Sequence, residues 1–207
     1  MSHLAVALAI LVEEPSAKVA LDVLVPRIVP GTSFSVQDFR GKPDLLKRLP
    51  GVFRGLAIRM SWEEIRIVVL VDRDDDNCVE LKQVLADCAA EAGLPQHVVL
   101  KRIVVDELEA WFFGDVPALC AAYPRVSRDL AGQVKYRDPE EIPGKASKAL
   151  EHLLQSSGYH PRKLAKVRAA TDIAEHMDVE SNRSKSFQVF RDGLRRLVSE
   201  GSHAQED

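Results

Sequence analysis

The sequence lacks the features of secreted and membrane proteins. It has only three cysteines, Cys78, Cys88 and Cys120, and their odd number and wide spacing exclude a disulfide framework and a zinc site built on paired cysteines. The longest apolar run, residues 4–12, is far shorter than the roughly 20 residues of a membrane-spanning helix. Only three residues precede that run, none of them Lys or Arg, so it lacks the positive region that begins a signal peptide. We therefore expect a folded protein of the cytoplasm.

A strong charge of one sign is also missing. The chain has 28 Lys and Arg against 31 Asp and Glu, a formal net charge of -3 at pH 7, which argues against a protein coated uniformly for nucleic acid. Bases exceed acids only locally, since residues 135–196 hold 13 Lys or Arg and 9 Asp or Glu. That excess is a weak indication of nucleic-acid binding, because many such surfaces are only solvated.

Signatures of nucleotide hydrolysis and of zinc catalysis are absent too. Gly144 and Lys145 resemble the end of a P-loop, but Pro139 stands in place of the leading glycine and Ala146 in place of the required Ser or Thr. The six histidines show no HExxH spacing. These patterns exclude a P-loop NTPase and a zinc peptidase.

The first half of the chain alternates between strand and helix patterns. Four segments are predicted as strands, at residues 4–12, around Phe34 and Val36, at 65–71 and at 98–105. Helical patterns separate them at residues 16–25, at 43–60 with a break near Pro50, and at 79–92. Because residues 65–71 contain only one polar residue, Arg66, this strand is predicted to be central. The alternation predicts an α/β fold, a parallel four-stranded sheet with helices on both faces.

After about residue 107 only helical patterns remain, including residues 145–155, 161–170 and 186–198. We therefore predict an α/β core over residues 1–113, an all-helical C-terminal region over residues 114–200 that packs on this core, and a disordered tail over residues 201–207.

Acidic residues follow three of the four predicted strands. They are Glu13 and Glu14, then Asp72, Asp74, Asp75 and Asp76, and finally Asp106, Glu107 and Glu109. The carboxyl ends of parallel strands share one edge of the sheet, where open α/β proteins bind their ligands. Two like charges about 4 Å apart repel by roughly 4 kcal/mol at an effective dielectric of about 20, so a shared cation would stabilise the cluster. Carboxylates without His or Cys are ligands for Mg²⁺ or Mn²⁺.

This pattern predicts a metal site. Asp72 and Asp74, two residues apart on an extended stretch, would point to the same side and could share one metal ion.

The same acids have an ordinary structural explanation. Asp75 or Asp76 would cap the helix from Val79, and Glu107 and Glu109 would stabilise a first helical turn. Glu13 is not needed as a cap. Both interpretations stay open at this point.

Two stretches resemble a known catalytic domain. Residues 11–16, with Glu13 after the first strand, and residues 71–74, with the Asp72-Arg73-Asp74 triplet after a later strand, are similar to the TOPRIM domain of topoisomerases, primases and several nucleases. The resemblance implies a TOPRIM-like (Rossmann-like) fold, Glu13 as the catalytic glutamate, and Asp72 and Asp74 as the metal-binding pair. Glu14 departs from the pattern, because many members have glycine there.

Nearly the whole chain also resembles DUF4276, an uncharacterised bacterial family that is TOPRIM-like. The resemblance lies in residues 12–16, 72–78, 107–112 and 181–187. Members accompany ATPases of the ABC type in phage-defence loci, which implies such a partner for this chain.

A candidate phosphate site lies within residues 181–186. Arg183, Ser184 and Lys185 precede a predicted helix, and a helix N-terminus favours an anion. Alternatively, Ser184 or Ser186 caps that helix and the two cations lie in water.

The leading functional hypothesis is a Mg²⁺-dependent TOPRIM-type nuclease that acts in phage defence. Glu13, Asp72 and Asp74 would be its metal-binding and catalytic residues, and Asp76, Glu107 or Glu109 would complete the metal shell. Glu13 would act either as a metal ligand or as a general acid or base. The alternative is a non-catalytic partner or regulator that binds an ATPase through its helical C-terminal half. A receiver-like switch with Asp72 as phosphate acceptor is less supported, because no strand after the fourth delivers the lysine of such a site.

Overall fold

In the computed structural model, which describes residues 6–73, 77–104 and 107–203, four strands form one parallel sheet in the order β2-β1-β3-β4. The strands are β1 Ala7–Val12, β2 Ser33–Asp38, β3 Ile65–Asp72 and β4 Val99–Val104. The predicted α/β class and the parallel four-stranded sheet are confirmed. Because the chain runs from β1 outward to β2 and then returns to β3, the strand order reverses between β1 and β3, and ligands of open α/β sheets bind at that point.

Eight α-helices accompany the sheet in the described residues. They are α1 Pro15–Ile28, α2 Lys42–Arg59, α3 Cys78–Glu91, α4 Glu109–Phe113, α5 Val116–Ala122, α6 Ala146–Ser156, α7 Lys166–Ala174 and α8 Lys185–His203. Short 3₁₀ turns lie at Gln96–Val98, Arg128–Gly132 and Val134–Tyr136. Residues 107–203 contain no strand. None of the helices in the described part of the chain has the length and apolarity to cross a membrane.

Both faces of the sheet are covered by helices. Leu8, Ile10 and Val12 point to the side that carries α1 and the C-terminal helices, whereas Leu11 and Val69 point to the side that carries α2 and α3. This alternation follows from the two-residue period of a strand. Since the C-terminal helices share a hydrophobic cluster with β1 and β3, residues 114–200 pack directly on the sheet.

Two prolines lie inside helices that the sequence patterns predicted to end or break at them. Helix α1 passes through Pro26 to Ile28, and α2 is continuous through Pro50. Pro26 lies in the last turn of α1, where the missing N–H removes a single hydrogen bond. In α2 the buried side chains on both sides of Pro50, such as Leu49 and Phe53, keep one apolar face against the sheet, and burial of that face offsets the lost bond.

Two C-terminal boundaries also differ from the predicted ones. Helix α7 begins at Lys166 rather than near residue 161, because the preceding loop is held instead by a hydrogen bond from Leu164 N to Glu151 Oε1 at 3.0 Å. Helix α8 continues to His203, which lies within the segment predicted as a disordered tail. Residues 204–207 lie outside the described residues.

Candidate functional site

A crevice opens at the carboxyl edge of the sheet, where β1 and β3 end. Its lining residues are Glu13, Glu14, Ser16, Ala17, Leu70, Asp72, Leu108 and Glu109. They come from the ends of β1 and β3 and the starts of α1 and α4. Four of the predicted acids thus line one crevice at the point where the strand order reverses.

Glu13 and Asp72 are in direct contact. Glu13 is only 8% exposed, and its Oε1 accepts a hydrogen bond from the backbone N of Asp72 at 2.8 Å. The structure thus places the Glu13 carboxylate beside the backbone of Asp72 at the sheet edge. The backbone of Glu13 is itself held, because its carbonyl accepts from Gly41 N at 3.0 Å. Gly41 has a φ of 90°, which glycine adopts without strain.

An ammonium group lies among the other carboxylates of the crevice. Lys166 Nζ is 3.2 Å from Glu14 Oε2 and 3.6 Å from Glu109 Oε1. Burial raises the pKa of the Glu109 carboxyl, and Lys166 opposes that rise. Although burial alone would lower the pKa of Lys166, the charges of Glu109 and Glu14 raise it. Lys166 is therefore protonated at neutral pH and compensates both carboxylates.

Helix α7 brings Lys166 to the crevice because it packs along α1. Its buried side chains are chiefly alanine, which allows close approach of the two helices. At the opposite end of α7, the guanidinium of Arg27 on α1 donates to the carbonyl oxygens of Ala174 and Met177 at 3.2 and 3.1 Å. Sequence reasoning missed Lys166, since the local excess of basic residues was the only signal that pointed to this region.

Glu107 has a structural role that the sequence only partly anticipated. It is buried, and its Oε2 accepts from Ser147 N at 2.7 Å. Ser147 lies in the first turn of α6, so the carboxylate stabilises that helix N-terminus. The capping interpretation thus holds for Glu107, at α6 rather than at α4.

The capping role of Glu107 can be tested by substitutions that remove or keep its hydrogen-bond acceptor. We expect Glu107→Ala to destabilise the protein by about 1 to 3 kcal/mol, because it removes a charged acceptor from a buried N–H. Glu107→Gln keeps an acceptor oxygen and should cost less than half as much. Urea denaturation of both variants measures the difference. Equal losses for the two substitutions would contradict an acceptor role.

Part of the predicted metal site lies outside the described residues. Asp74, Asp75, Asp76 and Asp106 belong to the segments 74–76 and 105–106. Among the residues that the structure describes, no group of three or more His, Cys, Asp or Glu is arranged to hold a metal ion. Glu13 and Asp72 form an oxygen-only pair, the donor chemistry that Mg²⁺ prefers. The cap of α3 is Asn77, whose side chain accepts from Val79 N at 2.9 Å.

The residues predicted to bind phosphate have separate environments. Ser184 is fully buried; its hydroxyl donates to Glu140 Oε1 at 2.6 Å and accepts from Phe187 N at 3.2 Å. Ser184 therefore caps α8, as the alternative interpretation proposed. Because it is buried, it cannot contact an external phosphate. Arg183 Nη1 donates to the carbonyl of Arg137 at 3.3 Å, and Lys185 is exposed.

A lysine groove adjoins the crevice. It is lined by Glu14, Ser147, Lys148, Glu151, Lys163, Leu164 and Lys166, so Glu14 borders both the groove and the crevice. Lys148 and Lys163 are exposed. The carboxylates at the sheet edge thus lie beside exposed lysines, an arrangement that suits a ligand with several phosphate groups.

Comparison with known proteins identifies one family. A family model described as "Domain of unknown function (DUF4276)" matches residues 12–195. No curated protein and no solved structure matches the chain.

Proposed function

Since the chain belongs to the DUF4276 family, a domain of unknown function, we propose its function from the crevice itself: a Mg²⁺-dependent nuclease of the TOPRIM type, which hydrolyses phosphodiester bonds of nucleic acid. The observation that carries the proposal is the contact of Glu13 with Asp72, a hydrogen bond of 2.8 Å between the ends of β1 and β3. Phage defence is the setting that the family resemblance implies.

The division of roles follows from the donor chemistry. Glu13 and Asp72 would hold the metal ion together with Asp74, which lies outside the described residues. When bound, the ion supplies Lewis-acid polarisation of the phosphate and lowers the pKa of a water nucleophile. Glu13, only 8% exposed, keeps its carboxylate oriented through the backbone N of Asp72.

Nucleic acid is the proposed substrate class because of the cations beside the crevice. The lysine groove offers the exposed Lys163, and Lys148, whose side chain is 72% exposed and pairs with Glu151 Oε2 at 2.7 Å. On another side, Lys42 Nζ donates to the carbonyl of Arg73 at 3.3 Å, so a further cation borders the loop that follows Asp72. Contacts of this kind bind a phosphate backbone without selecting its sequence.

Thermal melting tests metal binding directly. We expect Mg²⁺ or Mn²⁺ at about a hundred times its Kd to raise the melting temperature of the wild type by about 5 to 10 °C. Asp72→Asn should melt about 2 to 4 °C higher than the wild type without metal, because it removes like-charge repulsion, and it should lose the metal response. The matched control is Asp87→Asn on the exposed side of α3, which should respond as the wild type does. A wild type that ignores both metals would contradict the proposal.

A cleavage assay tests the chemistry. Plasmid and oligonucleotide substrates should be cut by the wild type and by Asp87→Asn only when metal is present, and at least tenfold more slowly by Asp72→Asn. Cleavage that continues unchanged in Asp72→Asn would indicate a contaminating nuclease.

One observation favours the non-catalytic alternative. Lys166 already compensates Glu14 and Glu109 within the chain, so these carboxylates do not require a metal. In that case the chain would serve as a partner of an ABC-type ATPase and bind through its C-terminal helices. The alternative predicts binding to such an ATPase with neither a metal-dependent melting shift nor cleavage.

A further inference from the structure

A second groove, the arginine groove, lies beside β4 and next to the crevice. Its cations come from three elements: Lys82 on α3, Arg102 on β4 and Lys185 at the start of α8. Of the described residues that line it, Glu140 is the one carboxylate. The groove encloses about 310 Å³, which is at the lower end of the range for small-ligand sites. Leu70, which is 4% exposed, lines both this groove and the crevice, so the two are neighbours.

The Arg102 side chain is packed in place although its Nε lacks a hydrogen-bond acceptor among the described residues. Its Nε is buried and has no hydrogen-bond partner within the described part of the chain. The side chain packs against the backbone of α8, since a Cβ on Gly193 would lie 2.5 Å from Nη2 and 3.0 Å from Nε. Burial and the nearby charge of Arg196 both lower the pKa of Arg102. A guanidinium that is already ordered binds an incoming anion at a low entropic cost.

The carboxylate of the groove is held by neutral hydrogen-bond donors at one oxygen, and its other oxygen, Oε2, is buried without a hydrogen-bond partner in the described part of the chain. Glu140 Oε1 accepts hydrogen bonds from Ser184 Oγ at 2.6 Å and from Ser186 N at 3.1 Å. It thereby caps the N-terminus of α8, so the helix end itself is already satisfied by the protein. The anion-binding capacity of this region therefore lies in the side chains of the groove and not in the helix N-terminus.

An apolar floor accompanies the cations. Ile103, Val189 and Phe190 line the same groove, and Val189 is 41% exposed. A bare phosphate would leave this surface in water, whereas a flat nucleobase would cover it. Apolar and cationic groups side by side match a nucleotide, which carries a stacking face next to a phosphate.

We propose that the arginine groove binds one nucleotide unit of a nucleic-acid strand, with the phosphate at Arg102 and Lys185 and the base on Ile103 and Val189. The proposal rests on the proposed function and deepens it, because the groove neighbours the crevice and would hold the strand beside the proposed site of cleavage. Lys82 would neutralise a neighbouring phosphate.

Binding measured without metal tests the groove separately from cleavage. The probe is a fluorescein-labelled single strand of about ten nucleotides, titrated with full-length protein in EDTA and followed by fluorescence polarisation. Arg102→Gln and Lys185→Ala should each weaken binding about tenfold and reduce the slope of log K against log salt by about one. Arg102→Lys, which keeps the charge, should retain most of the affinity. Lys47→Ala removes an exposed charge from the opposite face of the sheet and should bind as the wild type does.

Competition identifies the ligand unit. Adenosine monophosphate should displace the probe at lower concentration than inorganic phosphate, because only the nucleotide covers the apolar floor. Equal displacement by both would contradict binding of the base on Ile103 and Val189. Wild-type affinity in both Arg102→Gln and Lys185→Ala would overturn the whole proposal. Lys185 is exposed, so its variant folds even if that of Arg102 does not. Loss of cleavage with intact binding would contradict the nuclease and leave the groove standing.

Discussion

Gly114→Ala is expected to destabilise the protein by roughly 3 kcal/mol or more. A Cβ at this position would overlap Asn182 Oδ1 and lie 2.7 Å from Ser184 N. Neither atom is free to move, because Ser184 N donates to Asn182 Oδ1 at 2.9 Å, and Asn182 Nδ2 donates to the carbonyl of Trp111 at 2.8 Å. Asn182 and Ser184 are both fully buried, so any shift would leave polar atoms without partners inside the protein.

The backbone of Gly114 does not itself require glycine. Its φ is -66°, within the right-handed helical region, so the expected cost is steric and not conformational. Matched controls are Gly51→Ala and Gly55→Ala, which lie in α2 with nothing within 4 Å of a new Cβ. These should stabilise the protein by about 0.5 to 1 kcal/mol, the usual gain from alanine in a helix.

Urea denaturation of the three variants measures these effects. A loss at Gly114 of less than about 1 kcal/mol would show that the loop at residues 182–184 moves away easily. That outcome matters for the arginine groove as well, because the same loop leads into α8, which forms one wall of the groove.

Lys166→Met is expected to destabilise the protein by about 1 to 3 kcal/mol at about pH 8. The substitution leaves Glu109, which is 3% exposed, without the cation that lies 3.6 Å from it. The lower part of this range applies if solvent screens the pair, since the side chain of Lys166 is 38% exposed. Lys163→Met in the preceding loop, an exposed lysine, is the matched control and should have little effect.

The loss should depend on pH in a defined direction. Burial raises the pKa of Glu109 in the folded protein, so its stabilising contribution is complete below the pKa of the unfolded chain and is lost as the pH rises through the folded pKa. Without Lys166 that folded pKa rises further. The variant should therefore be close to the wild type near pH 5 and less stable than it near pH 8.

A second substitution separates charge from side-chain volume. Glu109→Gln in the Lys166→Met background should restore most of the stability at about pH 8, because it removes the uncompensated carboxylate. Denaturation curves of the single and double variants at both pH values provide the measurement. If Lys166→Met were equally destabilising at both pH values and unaffected by Glu109→Gln, the ion pair would not be the cause.

Local sequence patterns predicted the helices and strands well, but they were wrong that Pro26 ends α1 and that Pro50 breaks α2. The run at Ile65–Asp72 is apolar along almost its whole length, and a strand covered on both faces has that composition. Pro50 indicated a break because proline cannot make one of the helical hydrogen bonds. It gave no information about the apolar face of α2, which continues past it through Phe53. That face has its effect only when the sheet is present to cover it.

By itself, the sequence determined the strands, their parallel arrangement and the edge at which Glu13 and Asp72 meet. Strand periodicity is local, and parallel strands connected by helices have their carboxyl ends at one edge. Three contacts are visible only in the folded protein: Lys166 compensates Glu14 and Glu109, Glu107 caps α6, and Arg102 lies against Gly193. Those contacts depend on how the C-terminal helices dock on the sheet, and an amphipathic pattern shows that a helix face is buried without showing which surface covers it.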